Sequence, residues 1–142
     1  MDIERLRKLP LFGELDHHDL SQLLRWVREV EFADGDLLFE QGSMPRDLYV
    51  IEEGSVEVMR DGRPVATHGP GEVVGEMALL KLERRWASAV AVGHLTAVAL
   101  GADDLASMSE QMPELADRLR ETMLRRDYEN EPHPRSDDAR DA

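Results

Sequence analysis

The sequence predicts a mainly β domain with helices at both ends, and three observations carry that expectation. Apolar residues recur at helical spacing up to Val27, at every second position through the middle of the chain, and at helical spacing again from Met112. Glycine-bearing turns at Asp34-Gly35, Gly42, Gly54, Asp61-Gly62, Pro70-Gly71 and Gly93-His94 cut the middle stretch into short segments. Short strands at that spacing suggest an antiparallel sandwich or barrel.

Taken in order, Asp2 is placed to cap a helix over residues 3–8, which the apolar break Leu9-Pro10-Leu11-Phe12-Gly13 ends. Asp16 caps a second helix whose Leu20, Leu23, Leu24 and Val27 form one inner face, with Trp26 read as packing. From Arg28 the period is two, in Val30 and Phe32 and then in Leu37 and Phe39, and Asp34-Gly35 between them reads as a hairpin turn. Gly42 ends the next strand. Leu48, Val50 and Ile51 mark another, Gly54 turns, Val56, Val58 and Met59 follow, and Asp61-Gly62 is a second tight hairpin before Val65. Pro70-Gly71 leads into Val73-Val74. Residues 87–92 and 95–100 read as the last hairpin, turning at Gly93-His94. Asp103 or Asp104 starts a short helix, and Pro113 is the first residue of a final one with the stripe Leu115, Leu119 and Met123. The expected division is N-terminal helices over 1–27, a β domain over 28–101, helices over 102–127 and a disordered acidic tail over 128–142.

With 142 residues and 42% hydrophobic content the chain suits one domain with its own core. No apolar run has the length of a membrane span and no signal peptide precedes Arg5, so the expected location is the cytoplasm, away from membranes. Zero cysteines remove disulfides, thiolate metal sites and cysteine nucleophiles. A formal charge of −13 without a Lys/Arg cluster argues against nucleic acid.

Chemistry is concentrated in residues 75–90. Gly75 lets the backbone approach a ligand, and Glu76-Met77-Ala78-Leu79-Leu80 are helix formers whose first amides have no partner inside the helix. Arg85, nine residues beyond Glu76, is placed to swing back over an anion held there. Glu76 is acceptor-only when ionised, so it fits a ligand that carries a hydroxyl next to its phosphate, such as a ribose 2′-OH. The pair reads as phosphate plus sugar.

At these residues the chain resembles the cyclic nucleotide-binding domain family of catabolite-activator-type regulators, kinase regulatory subunits and gated channels. The family's cassette is G-E-x-A-L, a spacer, then P-R-x-A-[ST]. Gly75, Glu76, Ala78 and Leu79 match its first part and Arg85, Ala87 and Ser88 its second. Arg84 replaces the usual proline, and Trp86 stands where Ala, Ser or Thr is usual. The resemblance extends to Asp34-Gly35, Glu40-Gln41-Gly42 and the stretch Leu48 to Val56. It implies an eight-stranded antiparallel jelly-roll barrel with N-terminal helices, a short cassette helix and a C-terminal helix that can close over the base. It further implies a ligand site of Gly75, Glu76, Met77, Ala78, Arg85, Trp86 and Ala87. Because the family's cyclic-GMP binders often carry Thr after the arginine and Trp86 has no hydroxyl, cAMP is favoured over cGMP. Trp86 is expected to stack on the purine or to point outward rather than to block the pocket.

The function expected is a stand-alone, non-catalytic cyclic nucleotide sensor that signals by conformational change to a protein partner or a second copy. The alternative is a module that keeps the fold, has lost its ligand and binds proteins, with Glu76 and Arg85 paired. Scattered histidines, among them His68 and His94, do not support a metal enzyme, and the Walker phosphate loop is absent.

Overall fold

The computed structural model describes residues 1–130, those at 77, 78, 80 and 126–130 by their backbone alone. Helix α1 (Ile3–Lys8) begins where the Asp2 carboxylate accepts the Arg5 N–H at 2.9 Å, and α2 (His17–Leu23) where Asp16 accepts from Asp19 at 2.8 Å. These short carboxylate caps satisfy amides that a helix start leaves open. A 3-10 turn, Pro10–Phe12, joins the two helices. Val27, expected at the end of the second helix, is instead the first residue of β1 (Val27–Phe32). It still packs on the helical cluster, so the inner-face reading survives the change of element.

Five further strands follow: β2 (Leu37–Phe39), β3 (Asp47–Arg60), β4 (Arg63–His68), β5 (Val73–Val74) and β6 (Ser88–Gly101). The eight expected segments are present as six strands, because β3 and β6 each run unbroken for 14 residues. Gly54 and Gly93 are therefore bends inside strands rather than hairpin turns. Residues 87–92 and 95–100 do not pair with each other; both pair antiparallel with β3, from Asp47 opposite Gly101 to Met59 opposite Ser88. Register shifts between Ile51 and Ser55 mark the bend. Gly54 has φ +94°, and a Cβ there would lie 2.4 Å from the His94 carbonyl oxygen, so only glycine fits where the two strands cross.

Asp34-Gly35 is likewise a turn without a hairpin, since β1 and β2 both pair with β6 and not with each other. Asp61-Gly62 is a true two-residue hairpin between β3 and β4, with φ of 52° and 77°. The sheet path is β1-β6-β3-β4, with β2 added to β6 and β5 to β3. It is an open antiparallel sheet and not a closed barrel. Bending at the two glycines divides it into two four-segment halves: β1, β6 after Gly93, β3 before Gly54 and β5; then β2, β6 before Gly93, β3 after Gly54 and β4.

The chain closes with α3 (Glu76–Lys81), α4 (Ala102–Gln111) and α5 (Pro113–Asn130). Pro113 opens α5 as expected. The helix runs three residues past the expected end of the folded chain, because extending an existing helix needs only one more hydrogen bond per residue. The rest of the expected tail lies outside the described residues. One apolar cluster joins α1, α2, α4, α5 and Leu79 to Leu48, Val50, Val98 and Leu100 on the outer face of the sheet. A second, with Tyr49, Ile51, Val56, Leu95 and several alanines of β6, spans the inner faces of both halves. Arg118 on α5 donates to both Asp19 carboxylate oxygens at 2.9 Å, and Arg125 to Glu14 at 2.8 Å, fastening α5 to the N-terminal segment.

Candidate functional site

The site forms where β5 ends and α3 begins. Gly75 has φ +85°, and a Cβ there would sit 2.6 Å from Arg85 Nη1 and 3.0 Å from Phe39 Cε2. Glycine is thus required twice, by backbone conformation and by the closeness of two side chains. Arg85 Nη1 donates to the Gly75 carbonyl at 2.6 Å, and Nη2 donates to the Asp47 carbonyl at the start of β3. Its backbone is held as well: the Arg85 N–H donates to Ser43 O and its carbonyl accepts from Gly42 N–H, each at 2.8 Å.

Arg85 is 4% exposed and Glu76 6%, so a cation and a carboxylate are buried at one helix start. Burial pulls the Arg85 pKa below its ordinary value, and the nearby carboxylates of Asp47 and Glu76 oppose that pull. Arginine starts so far above neutrality that it stays cationic. Burial also raises the Tyr49 pKa, which keeps this phenol neutral beside the cation. Arg85 Nε has no hydrogen-bond partner among the described residues. The guanidinium carbon lies 4.0 Å from the Phe39 ring centroid, and Phe39 stacks in turn on Tyr49 at 6.4 Å and 20°. What results is a buried cation with planar donors at a helix start, beside a carboxylate acceptor: chemistry that suits an anion carrying a hydroxyl.

The remaining expected residues fall as follows. Met77 and Ala78 lie on α3, with side chains outside the described set. Ala87 is buried at the entry to β6. Trp86 points outward, 42% exposed; the Arg60 guanidinium lies 4.9 Å from its ring centroid, and Arg60 donates to its carbonyl at 3.0 Å. Arg84 is exposed and donates to Gly42 O at 3.0 Å. Leu79 carries the site inward, since it packs in one cluster with Leu115, Leu119 and Met123 of α5. His68 and His94 are not brought together; His68 sits 2.7 Å from Glu72 and His94 faces Glu31.

Sequence reasoning missed Phe39 and the carbonyl of Asp47. Phe39 could have been noticed as an aromatic directly ahead of Glu40-Gln41-Gly42, but in an apolar run it reads as core. A backbone acceptor leaves no mark in residue identity.

Residues 29–112, from β1 to the end of α4, match the family model described as Cyclic nucleotide-binding domain. The chain is 33% identical over 122 residues to the Cyclic AMP receptor protein of Thermus thermophilus, a match covering 82% of this chain and 56% of that one. It thus spans little more than half the length of that relative. Among solved structures, the N-terminal domain of a transcriptional regulator from Streptomyces coelicolor A3(2) superposes with a TM-score of 0.73 at 36% identity, covering 90% of this chain and 92% of that one. The regulatory subunit of a cAMP-independent protein kinase A from Trypanosoma brucei superposes with a TM-score of 0.77 at 26% identity, covering 89% of this chain and 44% of that one. With more than half its length inside the family model, and with Gly75, Glu76 and Arg85 together at one helix start, the chain belongs to the cyclic nucleotide-binding domain family.

Proposed function

We propose that the chain is a regulatory module that binds a cyclic nucleotide, cAMP in preference to cGMP, at Arg85, Glu76 and the start of α3, and reports occupancy to a protein partner or a second copy. The observation that carries this reading is the buried Arg85, whose two terminal nitrogens donate to backbone carbonyls. A carbonyl is a weaker acceptor for a guanidinium than a phosphate oxygen, so a cyclic phosphate has a gradient of interaction to draw on. Glu76 takes the ribose 2′-OH. The role is regulatory and not catalytic.

Transmission follows from the same bonds. When Arg85 turns toward a phosphate it loosens the Gly75 carbonyl, which is the hinge into α3. α3 carries Leu79 in the apolar cluster with Leu115, Leu119 and Met123, so a shift of α3 repacks α5. A ligand that prefers the repacked arrangement moves the population toward it.

A second reading is favoured by the outward Trp86 and by the acceptors Arg85 already has: a protein-binding module without a nucleotide. The Trypanosoma brucei relative is named as the regulatory subunit of a cAMP-independent kinase, so a protein of this fold serves a kinase that does not depend on cAMP. Thermal unfolding with saturating cAMP and cGMP decides. At a hundred times Kd a ligand stabilises the folded state by about 2.7 kcal/mol, which raises Tm on the order of 10 °C. A Tm unmoved by either nucleotide rejects the sensor and leaves the interaction module.

A further inference from the structure

We infer that Phe39 is a positioning residue for Arg85: its ring face fixes the plane in which the guanidinium presents its N–H groups to an anion. This rests on the proposal that Arg85 is the cation that meets the ligand. All five guanidinium donors lie in one plane, so whatever sets that plane sets where every bond can point. The Gly75 and Asp47 carbonyls hold the two terminal nitrogens but leave rotation out of the plane open. Phe39 closes that freedom, because its centroid lies 4.0 Å from the guanidinium carbon, well inside cation–π range.

The ring is itself fixed. Phe39 stacks on Tyr49, and Tyr49 meets Phe32 edge-on at 5.7 Å and 81°. Tilting Phe39 therefore disturbs two further aromatics. Phe39 Cε2 also lies 3.0 Å from where a Cβ of Gly75 would stand, and Arg85 Nη1 2.6 Å from it, so the ring, the arginine and the hinge glycine occupy one another's contact shells. In so dry a place the negative ring face also offsets part of the cost of desolvating the cation. Leucine could fill the volume of Phe39 but could supply neither the flat face nor its charge distribution.

The test separates aromatic character from volume. Phe39→Leu and a 3,4,5-trifluorophenylalanine at position 39, which keeps the shape and drains the ring face, are titrated with cAMP by calorimetry beside the wild type. Both are expected to weaken binding about 3- to 10-fold. A fluorinated variant that binds like the wild type overturns the inference, and it remains decisive where Phe39→Leu fails to fold. If the wild type binds neither cAMP nor cGMP, the ligand reading has failed by itself, and the pairing is then read from unliganded unfolding midpoints. Non-additive midpoint shifts for the fluorinated residue and Arg85→Leu, alone and together, uphold Phe39 as the positioner. Additive shifts overturn it.

Discussion

The half-sheet of β1, the end of β6, the start of β3 and β5 is covered on both faces, while the half with β2 and β4 is covered on one. In the first, Leu48, Val50, Val98 and Leu100 meet the helices as Tyr49, Ile51, Ala97 and Ala99 meet the inner cluster, and all eight are buried. In the second, Leu37, Val65 and Val92 remain 46–53% exposed. The site straddles the two halves: Gly75 and Glu76 follow β5 and the Asp47 carbonyl opens β3 in the first, while Phe39 comes from β2 and Arg85 leads into β6 in the second. The two-sided half supplies a buried frame with the hinge glycine and the backbone acceptors, and the one-sided half supplies the ring that faces the cation.

The sharpest way to break the comparison is at the glycine where β5 of the first half leads into α3 and meets Phe39 and Arg85. Gly75→Ala forces a left-handed backbone on a residue with a Cβ and drives that Cβ into Arg85 Nη1, so cyclic nucleotide affinity should fall at least 30-fold, read by calorimetry. Retained affinity would mean Arg85 is not held where the ligand needs it. Next in size is a matched pair. Val98→Ala, fully buried between helices and sheet, should cost about 2 to 3 kcal/mol in urea unfolding, and Val58→Ala, half-buried in the other half, under about 1 kcal/mol. Equal costs would remove the distinction between the halves.

The sequence made some of this legible and not the rest. Asp2, Asp16, Pro113 and Asp61-Gly62 act locally, so their caps and turn could be read from neighbouring residues alone. Gly54 and Gly93 were read as turns because a left-handed glycine between two alternating runs has the same signature whether the strands fold back or run on; only pairing with β3 decides it. Gly75, Glu76 and Arg85 were legible as a constellation because their spacing is short. Phe39 was not, since its partner lies 46 positions away by numbering and its apolar neighbours disguise it.

Smaller effects sharpen the site. Glu76→Gln should weaken cAMP about 10-fold while hardly changing affinity for a 2′-deoxy analogue, because the contact concerned is the hydroxyl. A matched loss for both ligands removes the sugar assignment. Trp86→Ala should change affinity less than about 2-fold, as its ring lies outward beneath Arg60. A clear loss would mean that the indole turns in to stack on the base, and a clear gain that it blocks the pocket.

Arg84 and Arg85 are adjacent, one exposed and one buried, and calorimetric titration of cAMP into the wild type, Arg85→Leu and Arg84→Leu tests the account most directly. Losing a charge-assisted bidentate contact costs roughly 2 to 4 kcal/mol, so Arg85→Leu should lower affinity about 30- to 1000-fold and Arg84→Leu less than about 3-fold. Equal losses at the two arginines, or no binding heat in the wild type with either cyclic nucleotide, would contradict it.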